Sequence, residues 1–146
     1  MLIFRNTLLV LMIAFSLHVQ AQKAEDAIQG RWLSAEKDGK IEIYKTGNTW
    51  SGRIVWMKFP KNDKGELRKD ANNPDESLKS RTILNAVILT GFVYNKGAWE
   101  DGKIYDPKSG KTYSASMKLK NGKLEIRGYV GVSLLGRTTV WTKAEN

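Results

Sequence analysis

Five glycine-containing dipeptides cut this chain into runs too short for helices and the right length for strands. Asp38-Gly39, Gly47-Asn48, Asp101-Gly102, Ser109-Gly110 and Asn121-Gly122 separate segments rich in Ile, Val, Thr, Tyr and Trp. Such spacing favours an antiparallel all-β barrel or sandwich joined by hairpins. Eight or nine strands in about 115 ordered residues fit a small closed up-and-down barrel, which removes sheet edges.

The hairpin over 112–130 defines its own register. With Asn121-Gly122 as a two-residue type I′ turn, Leu119 faces Leu124, Met117 faces Ile126, Ala115 faces Gly128 and Tyr113 faces Val130. The opposite face pairs Lys118 with Glu125 and Ser116 with Arg127. A slip of one residue would put the apolar face in water and the charges in the core. Upstream, 30–35, 40–46 and 49–57 read as three more strands. In the third, Trp50, Gly52, Ile54 and Trp56 share the face expected to meet the core. Further strands are expected near 87–94, 98–100, 103–105 and 137–143, with Ile83-Leu84 as an apolar plug before the first of them.

Residues 58–80 break this rhythm. They are polar and carry Pro60 and Pro74, and a loop of that length in a small domain is usually functional or mobile. Asn73 as a cap, Pro74 at the first helical position and Asp75-Glu76 in the first turn predict a helix of one or two turns over 74–79.

The amino terminus predicts export. Arg5 precedes an apolar run, LLVLMIAFSL over 8–17, and Val19 and Ala21 occupy the −3 and −1 positions of a cleavage site. The run falls short of the roughly 20 apolar residues of a spanning helix. Residues 1–21 are therefore expected to be a cleaved secretory signal peptide, 22–28 a flexible segment and 29–146 a single domain, placed in the periplasm or secreted. Loss of Arg5 takes the formal charge from +9 to +8, which suits anionic partners or simply a solvated exterior. The basic residues are dispersed, and no basic run or aromatic signature suits specific nucleic-acid binding.

The single histidine, His18, lies in the segment expected to be removed, and the chain has no cysteine. Ser-His-Asp and Cys-His catalysis, zinc or copper sites built on His or Cys, and iron–sulfur clusters are thereby excluded from the mature protein. Asp70, Asn72, Asn73, Asp75 and Glu76 have oxygen ligands at calcium-like spacing, but lack the glycine and the bidentate glutamate of that loop. Glu100-Asp101 and Asp106 make a poor carboxylate pair, since adjacent strand residues point to opposite faces. No catalytic residue, metal site or cofactor is expected.

Gly30-Arg31-Trp32 opens the first strand, and Gly136-Arg137 with Trp141 sits on the last. This pair resembles the structural signature of lipocalin-like (calycin) barrels. The resemblance implies Arg137 packed over Trp32 as a cation–π brace, an interaction worth about 0.5–2 kcal/mol. A longer set of motifs resembles the bacterial family DUF2147. It comprises Gly52-Arg53-Ile54-Val55-Trp56, Asp70 with Asn73-Pro74-Asp75, the run from Gly102 to Tyr113, the segment Ile126-Arg127-Gly128-Tyr129-Val130-Gly131 and Leu134-Leu135-Gly136-Arg137-Thr138. These relatives are exported proteins of unassigned activity, so the resemblance carries over no catalytic residue.

Two local segments matter for function. Asp106-Pro107-Lys108-Ser109-Gly110 reads as a tight turn, with Pro107 setting φ, Asp106 bonding its own backbone and Gly110 supplying positive φ. Val132, Leu134 and Leu135 between Gly131 and Gly136 either cap one end of the barrel or form an exposed patch that meets a partner. The leading expectation is a non-enzymatic module binding a small apolar or amphipathic ligand, walled by Trp50, Trp56, Tyr113 and Met117, with 58–80 as a lid. Basic residues at the mouth would suit an anionic head group. The alternative is an envelope structural or protein-interaction module with a filled barrel, its contacts made through Leu134 and Leu135. Interior volume decides between them.

Overall fold

The computed structural model describes residues 24–145. The expected signal peptide lies outside them. Eight antiparallel strands pair in chain order: β1 (Gly30–Leu33), β2 (Gly39–Thr46), β3 (Thr49–Met57), β4 (Val87–Asn95), β5 (Ala98–Asp106), β6 (Lys111–Lys120), β7 (Lys123–Tyr129) and β8 (Arg137–Lys143). The ring closes where Trp32 and Leu33 of β1 pair with Lys143 and Thr142 of β8. The protein is thus the closed all-β barrel expected. No helix among the described residues is long and apolar enough to cross a membrane.

The β6–β7 register follows the turn. Leu119 pairs with Leu124, Met117 with Ile126 and Ala115 with Gly128, and Asn121 and Gly122 both have positive φ. The ladder ends one pair early. Val130 turns out to solvent after β7 stops at Tyr129, and Tyr113 pairs with Ile104 of β5.

Bulges account for most departures from simple alternation. Asp101-Gly102, read as a turn between two strands, lies inside the single strand β5, where Asp101 takes φ 59° and the register shifts. A side chain at Gly102 would drive into the Phe92 ring, so the close approach needs glycine there. In β3, Ile54 pairs with Ile41 and Trp56 with Lys40, leaving Val55 as an extra residue. The slip sends Met57 toward the core and Trp56 outward, 40% exposed, where Lys40 Nζ lies 5.9 Å from its ring. In β4 a third irregularity at Gly91 breaks the alternation, and the strand begins at Val87, after Ile83 and Leu84 have packed on the core.

Residues 24–28 belong to the barrel rather than to a free arm. The 3-10 turn Asp26–Ile28 drives Ile28 into the core, fully buried. Trp32 Nε1 donates to the Ile28 carbonyl at 2.8 Å and Trp99 Nε1 to that of Glu25 at 3.2 Å, while Lys45 pairs with Glu25 at 2.7 Å.

The predicted brace forms with a different cation. Lys143, not Arg137, covers Trp32: its Nζ stands 4.6 Å from the ring centroid and donates to the Gln29 carbonyl at 2.8 Å. The ring lies beside the end of β8, whereas Arg137 begins that strand at the opposite rim. Gly30 takes φ 118° beneath this lysine, and a Cβ there would stand 3.0 Å from Nζ.

Candidate functional site: a cavity at one end of the barrel

The two ends of the barrel are built differently. At one end, Gly47-Asn48, Lys96-Gly97 and Asn121-Gly122 make three two-residue turns. Behind them Trp32, Trp50, Phe92, Trp99, Met117 and Leu124 fill the interior. At the other end the connections are longer, spanning 34–38, 58–86, 107–110 and 130–136. They surround the mouth of a cavity of about 1560 Å³ that is open to solvent. Ordinary ligand pockets hold roughly 300–1,000 Å³, and this larger volume takes in the space between the loops as well as the open half of the barrel.

Isoleucine, more than tryptophan, makes the wall. Ile41, Ile54, Ile88, Ile104 and Ile126 line it, with Trp141 as its one indole among the described residues. Of the four wall residues expected, only Tyr113 lines the cavity. Trp50 and Met117 lie in the filled half, where the Trp50 indole N–H has no hydrogen-bond partner, and Trp56 is on the outside.

The long loop is a folded frame beside the mouth. A small hairpin joins Lys61 to Leu67, and a bridge joins Lys69 to Thr82. The centre of the frame is Asp70, whose carboxylate is fully buried. It accepts from the Tyr105 hydroxyl at 2.6 Å, from Asn73 Nδ2 at 2.8 Å, and from Arg81 Nε and Nη2 at 2.9 and 2.8 Å. Burial pushes its pKa up, but these hydrogen bonds and the guanidinium charge outweigh burial and hold the carboxyl below the usual carboxylate range. Burial and the bond to Asp70 push the Tyr105 hydroxyl up to about 12. The calcium-like residues are therefore committed elsewhere: Asp70 to Arg81, Asn73 to Asp70, and Asp75 to the turn that follows it. No group of three metal-binding side chains occurs among the described residues. The expected helix over 74–79 shrinks to the 3-10 turn Glu76–Leu78, capped by Asp75 in place of Asn73.

The Asp106–Gly110 turn docks this frame onto the barrel. Asp106 accepts from Lys108 N at 3.0 Å and Ser109 Oγ at 2.7 Å, as its sequence suggests. Asn72 Nδ2 donates to the carbonyls of Pro107 and Lys108 at 3.3 and 2.9 Å. Gly110, at φ 71°, presses so closely on the Asn72 carbonyl that no side chain fits. Lys108 bridges to Glu36 at 2.8 Å and Asp38 at 3.0 Å on the β1–β2 loop, and these bonds raise its pKa above the ordinary lysine range.

The β7–β8 loop is an exposed patch and not a cap. Leu134 and Leu135, on the 3-10 turn Ser133–Leu135, are 86% and 79% exposed, beside exposed Val130 and Val132. Arg127 ties this loop down by donating to the carbonyls of Ser133 and Leu134 at 2.6 and 3.0 Å.

The closed eight-stranded antiparallel barrel is a lipocalin-like fold. The chain belongs to the family described as an uncharacterized protein conserved in bacteria (DUF2147), whose model matches residues 30–143. Among solved structures it is similar to a protein described as HP1028 from the human pathogen Helicobacter pylori, belonging to the lipocalin family. That match has a TM-score of 0.71 at 21% identity and covers 82% of this chain and 84% of the other. No curated protein matches.

Proposed function

We propose that this protein is an exported, non-enzymatic binding module that holds a small apolar or amphipathic molecule in the open half of its barrel. The observation that carries this reading is the asymmetry of the interior. One half is filled by indoles, and the other opens, through an isoleucine-lined wall, into a cavity of about 1560 Å³ that extends between the loops. Packing that is complete at one end makes an unfilled apolar volume at the other a site to be occupied.

Trp141 reports occupancy, because it is the cavity's one indole among the described residues. Titration with a bromine-bearing dodecanol, on a Trp56→Phe background that removes the exposed indole, is expected to give saturable quenching. Ile104→Glu, which places a charge in the wall, should abolish it. Quenching that never saturates, or that survives Ile104→Glu unchanged, would count against the reading.

The exposed Leu134 and Leu135 favour a second reading, an envelope or protein-interaction module. A Leu134→Ser, Leu135→Ser variant that loses a specific partner in cross-linking, while Trp141 shows no saturable quenching, would favour it.

A further inference from the structure

One wall of the open cavity carries hydrogen-bond donors with nothing to donate to. On β8 the inward residues run from Trp141 through Thr139 to Arg137 at the rim, all three lining the cavity. Arg137 pairs with Gly128 of β7, and Gly128 with Ala115 of β6. A Cβ built on Gly128 would stand 3.8 Å from Tyr113 Cβ and 3.6 Å from Ile104, so the absent side chain leaves a notch bounded by Tyr113 and Ile104, with Arg137 paired to Gly128 on the neighbouring strand. Sterics do not demand glycine there, since both contacts are ordinary and φ is not positive. Gly136 is the crowded one: a Cβ there would stand 2.6 Å from the Gly128 carbonyl, which keeps the start of β8 close against the notch.

Most other charges around the mouth are already engaged, Lys69 on the long loop excepted. Lys108 has Glu36 and Asp38, Arg68 donates to the Phe59 carbonyl, and Arg127 holds the β7–β8 loop. Asp106 is held by its own turn, and Glu66 by Asn62. Among the described residues, the Arg137 guanidinium, the Tyr113 hydroxyl and the Trp141 indole N–H make neither a hydrogen bond nor an ion pair. No carboxylate shares their face of β6, β7 or β8. Donors gathered on one apolar wall without an acceptor suit an anion, and the planar fork of arginine suits carboxylate or phosphate oxygens.

We infer that the ligand is an anionic amphiphile whose carboxylate or phosphate head lies in the Gly128 notch against Arg137 and Tyr113. Its chain runs down the isoleucine wall toward Trp141. This rests on the proposed binding function and adds the head group, its orientation and the residue that selects it. A neutral molecule of the same length fills the wall equally but leaves Arg137 unpaired, so discrimination resides at the rim.

The test compares laurate, dodecyl phosphate, dodecanol and dodecyltrimethylammonium by Trp141 quenching competition in full-length mature protein. At least one of the two anions is expected to bind about tenfold or more tightly than dodecanol, the scale of a hydrogen bond to a charged group. Arg137→Gln should erase that preference while leaving dodecanol affinity within about twofold, because the apolar contacts remain. Lys123→Gln, an equal loss of charge at the filled end, should keep the preference. Gly128→Leu, filling the notch, should weaken the anion more than the alcohol. Equal affinity for anions and alcohol, or a preference that survives Arg137→Gln, would overturn the head-group inference and leave the apolar site standing. Failure of all four to compete would overturn both.

Discussion

Replacing Asp70 by Asn tests whether the mouth is framed by a buried charge. The carboxylate has no exposure and accepts four hydrogen bonds from three side chains. Asparagine keeps the shape but has one acceptor oxygen. Its amide N–H₂ must then face either the Arg81 and Asn73 donors, which cannot accept, or the Tyr105 hydroxyl, which must rotate to accept instead of donate. Either way the charge that faces Arg81 is lost. Removing one member of a buried ion pair generally destabilises by about 3–5 kcal/mol. Arg81 is 30% exposed and can recover part of that through water, so the expected loss is about 2–3 kcal/mol. For a domain of this size that lowers Tm by on the order of 10 °C. Hydrogen exchange should localise the effect to the amides of Asp70 and Ile83, which bond the Arg81 and Arg68 carbonyls at 3.0 Å each. The same carboxyl gives a pH signature. Its folded pKa is depressed, so its stabilisation is present above about 3.9, its unfolded value, and is lost as pH falls through the lower folded one. Wild-type protein should release the frame only in acid, and Asp70→Asn should lack that transition. A Tm within about 1 °C of wild type, with unchanged exchange at both amides, would refute this reasoning.

Three further outcomes follow from packing. Gly102→Ala forces a methyl into the Phe92 ring and should cost about 1–3 kcal/mol in denaturant unfolding, although alanine is ordinarily harmless in a strand. Trp32→Phe should destabilise by about 1 kcal/mol more than Trp50→Phe, because it strands the Ile28 carbonyl while the Trp50 N–H bonds nothing. Paired thermal melts of the two variants check this. Gly110→Ala, strained at positive φ and driven against the Asn72 carbonyl, should undock the long loop from the β5–β6 turn. Limited proteolysis within 58–80 should then be faster than in wild type, with the barrel core left intact.

The barrel was legible in the sequence because turns and alternation are local. Asn121-Gly122 alone gave the register of β6 against β7, down to Ala115 opposite Gly128. What escaped were the places where one residue changes the phase. Val55 carries no mark of a bulge, yet it turns Trp56 from core to solvent and brings Met57 in. Asp101-Gly102 has the chemistry of a turn and also of a bulge, and only the facing Phe92 decides. Which cation covers Trp32 depends on where β8 ends in the closed ring, so Arg137 and Lys143 were not distinguishable by motif. Asp70 was visible as one oxygen among several in a polar loop and as part of a family motif, but nothing in the sequence marked it as buried. Its burial comes from Arg81 and Tyr105, which lie 11 and 35 residues away in sequence. The wall of the expected cavity escaped for a similar reason. Isoleucines scattered over five strands announce a core, and only closure of the barrel reveals that one end of it is unfilled.

Native mass spectrometry of protein purified gently from the exported fraction, beside a delipidated control, tests the binding function most directly. A reproducible added mass that disappears on delipidation, and that returns when laurate or dodecanol is supplied, is the expected result. A clean apo mass in both samples, with no uptake of either probe, would contradict the claim that the open half of this barrel is a binding site.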